Sequence, residues 1–250
     1  MPIAKRLEGA TLSFLLTGLD PLKREDAMLA ICAAITADGH AEHAGRAFEF
    51  LLKEKDRPDP EAMREAVLQT HLFGGYPRAL NALAAFKNAC KKVSNPLSGE
   101  IRLRDEPLEG DDLPAFRQRG QKLFNLIYGE NAPRIDRFAR GNSPDLGDWA
   151  LAEGYGRVLS RPGLEFRQRS LCIVAALIPL DVAPQLKGHV LGALNTGSTK
   201  EQLWRLYDVI CKLFKEGAEL NAAKGAFEEA LGKPMKALDN YEEEREWRGF

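Results

Sequence analysis

An all-α fold, with two tandem helical units forming a helical bundle, is predicted by three features of this sequence. They are a long internal repeat, apolar residues recurring at every third and fourth position, and helix caps at matching places in both copies. The segment RxxAMLAICAAITADGHAEHAGRAF reappears as RxxSLCIVAALIPLDVAPQLKGHVL. A shift of 143 residues lays Arg24 on Arg167, Ala33 on Ala176, Ile35 on Ile178, Asp38 on Asp181 and Gly45 on Gly188. Further along, Glu61 meets Glu201 and Leu80-Asn81-Ala82 meets Leu220-Asn221-Ala222 at a shift of 140. The difference falls where KEKDRPDPE is longer than NTGSTKE, and surface connections tolerate insertions best.

Helical spacing runs through Met28, Ile31 and Ile35 in the first copy and through Leu203, Leu206, Ile210 and Leu213 in the second. Asp59-Pro60 opens a helix in the first copy, and Gly197 followed by Ser198-x-x-Glu201 ends one helix and caps the next in the second. No comparable run alternates polar with apolar, so no strand is expected. Residues 1–92 are read as the first unit, 93–114 as a linker, and 115–250 as the second unit with extra leading helices. The linker carries Ser94-Asn95-Pro96, Ser98-Gly99 and IRLRDEPLEGDD. After it, PAFRQRGQKLFNLIYG and SPDLGDWALAEGYGRVL read as two helices that pack against the second copy, the latter opened by Ser143-Pro144-Asp145. The charged C-terminal ALDNYEEEREWRGF suits either an oligomer contact or a solvated helix.

Composition narrows the function classes. Thirty-five basic and thirty-six acidic residues leave a net charge of −1, so no field is available to hold a phosphate backbone, and nucleic acid is not an expected partner. Lys5 and Arg6 precede a short apolar run over 12–16, but it is too short for a signal peptide and no small-residue cleavage site follows. LCIVAALIPL stops at Asp181, well short of a spanning helix, so no membrane association and a cytoplasmic location are expected. Cys32, Cys90, Cys172 and Cys211 form no CxxC and no zinc-ligand spacing, and each reads as a small buried hydrophobe.

The stretch EGYGRVLSRPGLEFRQRSLCIVAALIPLDVAPQLKGHVLGALNTGSTKEQLW resembles the carboxymuconolactone decarboxylase family. The resemblance rests on Gly156, the turn Arg161-Pro162-Gly163-Leu164, Arg167, Arg169, His189, Ala193-Leu194-Asn195 and Gly197, in that order over about fifty positions. The first copy supplies FGGYPRALNAL, with Gly75 and Pro77 at a helix junction; the second reads LFKEGAELNAA there, and Arg46 stands where the second copy has His189. The resemblance implies the alkylhydroperoxidase-like helical fold, duplicated in one chain, and a homo-oligomer, most simply a trimer. It also implies cofactor-free decarboxylation of a carboxylated lactone, with no metal and no organic cofactor. The thiol-peroxidase branch of the fold needs a CxxC ahead of its histidine, whereas Gln185 and Glu42 stand at that position here, so a two-cysteine peroxidase is set aside.

Decarboxylation asks for a cationic clamp and a proton donor. His189 is the candidate acid, one helical turn beyond Gln185 on the same face; a merely packed imidazole is the alternative. Arg161 is the candidate carboxylate clamp, or else caps the helix ending near Leu159. Arg169 either binds substrate or pairs with a carboxylate such as Glu165. Glu153 is the candidate second proton-transfer group, and Tyr155 either orients a carboxylate or packs in the core. Gln185 completes the substrate-binding set, while Gly75 and Pro77 shape a tight helix junction, beside which Tyr76 is a candidate pocket residue and His71 a packing residue. His40 and His43 share a helix face without a third ligand, so no metal site is expected. The rival reading is a non-catalytic scaffold or binding member of the same fold.

Overall fold

Several helices begin where the sequence supplies a capping side chain. In the computed structural model, which describes residues 9–94, 100–104, 112–180, 182–214 and 218–232, every regular element is helical, as expected. The order opens with α1 (Gly9–Leu15), α2 (Arg24–Asp38), α3 (Ala41–Lys53), α4 (Pro60–Gln69), the single turn α5 (His71–Gly74) and α6 (Tyr76–Val93). After the connection come α7 (Leu113–Tyr128), α8 (Ala132–Asn142) and α9 (Pro144–Trp149), which runs straight into a π-helical segment (Ala150–Leu159). The chain then forms α10 (Phe166–Leu177), α11 (Ala183–Asn195), α12 (Lys200–Leu213) and α13 (Ala218–Leu231).

Asp59 caps α4 by accepting from the Glu61 amide at 2.7 Å, with Pro60 at the first helical position. Ser143 caps α9 in the same way through the Leu146 amide at 3.2 Å. The second-copy cap sits one residue later than the sequence pattern indicates. Thr199, paired with Gln202, forms the capping box of α12, and Ser198 is buried in the turn behind it. Two leading helices were expected after the linker; α8 is a third, opened by Pro133 in its first turn. Lys5, Arg6, Asp181, most of the linker and the tail 237–250 lie outside the described residues.

The core is one continuous cluster organised around α2 and α10, which pack along each other. Every residue of α2 from Asp26 through Ala37 is buried, so this helix is wrapped on all faces and lacks a single apolar stripe. α10 is buried in the same way from Arg169 through Leu177. Around this pair, α3 packs with α6, α11 with α13, and α7 with both the π-helical segment and α11. α3 and α11 are each 13 residues long and lie at the positions the sequence repeat pairs.

The π-helical segment is drawn onto α7 by two glycines. A Cβ at Gly120 would lie 1.9 Å from the Leu151 carbonyl oxygen, and one at Gly156 would lie 2.0 Å from that of Phe116. No side chain fits between these backbones, which gives Gly156 of the family-like stretch a packing role.

Candidate functional site

α5 and α6 face α9 and the π-helical segment across an open cavity of about 880 Å³. Leu72, Phe73, Leu80 and Leu83 line one wall, and Leu146, Trp149, Tyr155 and Val158 line the other. Gly75 creates the first wall: its φ of 84° and ψ of 162° stop α5 and start α6 at once, leaving Tyr76 on the rim. A side-chain-bearing residue at Gly75 would be strained. The opposite wall follows from the π-helical geometry, a rare form that recurs at functional sites. Tyr155 and Tyr128 share a 2.7 Å hydrogen bond between hydroxyls, and burial pushes both phenols above their ordinary range.

His189 stands outside this lining. Its half-buried ring rests edge-on against Phe73, a cavity residue, with centroids 5.5 Å apart, and lies 6.1 Å from the Tyr128 ring. Neither ring nitrogen has a hydrogen-bond partner among the described residues. Desolvation by these apolar surroundings lowers its pKa from 6.5 to about 4, so the imidazole is uncharged at neutral pH.

Arg161 reaches the cavity wall, but its guanidinium is engaged from behind. It donates to Glu65 of α4 through Nη2 at 2.9 Å and through Nε at 3.1 and 3.3 Å. Arg169, 2% exposed, reaches the same carboxylate at 3.3 Å, Gln69 Oε1 at 2.9 Å, and the carbonyl oxygens of Arg161 and Pro162 at 2.7 and 3.0 Å. Gln69 returns a hydrogen bond to the Arg169 carbonyl oxygen at 3.2 Å. Burial by itself would raise the Glu65 pKa; hydrogen bonds and charge from Arg161, then Arg169, outweigh it and hold the carboxyl below its ordinary value. Arg169 thus pairs with Glu65, whereas Glu165 caps α10 in a capping box with Gln168.

Sequence reading missed Glu65 and Gln69, although a signal existed. They fall on the buried face of α4 with Ala62 and Ala66, at the spacing of an apolar stripe, where a charged or amide side chain demands an interior partner.

The cavity therefore gathers Arg161, Glu153 and Tyr155 and leaves out His189, Arg169 and Gln185. Glu153 is half-exposed and pairs with Arg157 at 3.2 Å. Gln185 is exposed on α11. His71 lines the cavity with Nδ1 2.7 Å from the Leu68 carbonyl oxygen, beside the Tyr76 ring at 4.9 Å. His40 pairs with Asp38 at 2.6 Å and stacks on His43, and no group of three metal-ligating side chains occurs among the described residues. Burial pushes the Cys172 thiol up to about 12 and the Cys90 thiol up to about 11. Among the described residues no helix is long and apolar enough to cross a membrane.

No protein-family model matches the chain. Among curated proteins, Peroxisomal protein 2 of Schizosaccharomyces pombe is 35% identical over 156 residues, covering 62% of this chain and 69% of that protein. Peroxisomal protein 2 of Saccharomyces cerevisiae is 31% identical over 156 residues, and the match spans 55% of each chain. 4-Carboxymuconolactone decarboxylase of Acinetobacter baylyi is 37% identical over 77 residues, 31% of this chain and 57% of that enzyme. The resemblance to the decarboxylases is thus a partial one, and the longer similarity is to the two peroxisomal proteins.

Proposed function

This chain belongs to the family of the Schizosaccharomyces pombe Peroxisomal protein 2, and on that premise we propose that it is a small-molecule-binding protein with a decarboxylase-like helical fold. Its ligand occupies the cavity between α6 and the π-helical segment. The observation that carries this reading is the cavity itself: about 880 Å³ of largely apolar space, a volume suited to a small organic ligand. The tandem arrangement of units 1–92 and 115–250, and assembly into a homo-oligomer such as a trimer, belong to the same proposal. The relatives' names support a peroxisomal rather than a cytoplasmic location, which imaging of the tagged chain would decide. Ligand-detected NMR against a set of lactones and carboxylated lactones is expected to give binders that a Leu80→Glu variant loses. A blank screen, with no other small organic molecule bound in the cavity, sinks the reading.

A second reading, cofactor-independent decarboxylation, is favoured by the partial match to the Acinetobacter baylyi enzyme. In that chemistry the bond from the ring carbon to the carboxylate breaks, carbon dioxide leaves, and the electron pair passes into the ring until a proton is captured. Uncharged His189 suits accepting a proton better than delivering one. Arg161, held by Glu65, contributes a fixed positive edge. Turnover of a carboxylated lactone, abolished in His189→Ala with helicity intact, would support it.

A further inference from the structure

We propose that the cavity selects an uncharged ligand with an apolar body and a single hydroxyl head, the hydroxyl held between His71 and Tyr76. This inference rests on the binding reading and narrows it to one chemical class. Each charged side chain in the cavity wall is already in an ion pair within the protein, with Glu65 shared among Arg161, Arg169 and Arg104. Arg161 is committed to Glu65, and Arg157 to Glu153, with its guanidinium also 5.8 Å from the Phe116 ring centroid. An anionic ligand entering between Leu72, Leu83 and Val158 would lose its hydration without gaining an unengaged cation among the described residues.

Two polar groups of the lining keep spare capacity. The Leu68 carbonyl can only accept, so the short contact to His71 fixes the hydrogen on Nδ1 and leaves Nε2 an acceptor. The Tyr76 hydroxyl has no hydrogen-bond partner among the described residues, and its ring lies 4.9 Å from that of His71. An alcohol satisfies both groups at once by donating to Nε2 and accepting from the phenol. A carbonyl oxygen would meet only the phenol, and a carboxylate would face the Nε2 lone pair.

Trp149 reports on occupancy, because it is 62% exposed on the cavity wall while Trp204 is buried. The full chain would be titrated with decanol and with decanoate at about pH 8, where the carboxylate is fully charged, following emission that Trp149→Phe removes. Decanol is expected to shift Trp149 to the blue and to bind at least about tenfold more tightly than decanoate. Tyr76→Phe, at a rim position that folding does not depend on, is expected to weaken decanol roughly fivefold. Equal or tighter binding of decanoate overturns the proposal, as does unchanged decanol affinity in Tyr76→Phe. A blue shift that grows with protein concentration alone also overturns it, since a second copy then fills the groove. Binding of neither probe overturns it as well, and the broader binding reading falls only if the lactone screen is blank too.

Discussion

Glu65 and His189 are two ionisable side chains held by neighbouring parts of the same fold, and their surroundings treat charge in opposite ways. Glu65 keeps its charge because Arg161 and Arg169 converge on it, and its pKa is lowered despite burial. His189 has aromatic rings for neighbours and no partner for its nitrogens among the described residues, and it surrenders its charge instead. Desolvation acts on both; only the presence of a fixed counter-charge separates the outcomes. Family-like arginines that sequence reading offers to a substrate carboxylate are thereby committed to a carboxylate of the chain itself.

The contrast can be broken most forcefully at Glu65. Glu65→Gln strands two arginines in the interior, and urea unfolding is expected to show a loss of about 3–5 kcal/mol. Because the native Glu65 pKa lies below its unfolded value near 4.5, its contribution is present above that value and is lost as pH falls through the native one.

His189 titrates on the other side of the comparison. Its native pKa of about 4 lies below the unfolded 6.5, so the unfolded chain binds this proton first. Stability is full above 6.5 and declines as pH falls toward 4, by roughly 2 kcal/mol once partial exposure of the ring is allowed for. His189→Leu should flatten that slope in pH-dependent unfolding; an unaltered slope would assign it to other groups. A finer probe is Phe73→Ala, which opens the imidazole to the cavity and is expected to raise the His189 pKa from about 4 toward 6.5 in an NMR titration. The smallest effect is reserved for Gln185→Ala on the exposed face of α11, expected within about 0.5 kcal/mol of wild type and without influence on cavity binding.

Much of this architecture was legible beforehand. Helical class, the Asp59 and Ser143 caps and the glycine junction at Gly75 follow from local rules that operate within a few residues. α8 went unread although Ala132, Ile135, Phe138 and Ala139 recur at helical spacing, and of these only Ala132 is buried. Of the site residues singled out, Arg161, Glu153 and Tyr155 meet at the cavity, while His189, Arg169 and Gln185 lie away from it.

Sequence alone determined the helical class, the caps at Asp59 and Ser143 and that the chain carries no excess charge, since each depends on neighbours in the chain or on composition. Tertiary structure alone decided that Glu65, 96 residues from Arg161 and 104 from Arg169, would claim both guanidinium groups. It also decided that Phe73 would stand against His189. Such pairings arise from packing helices distant in the chain against one another, and the partner that neutralises a charge is invisible until those helices meet.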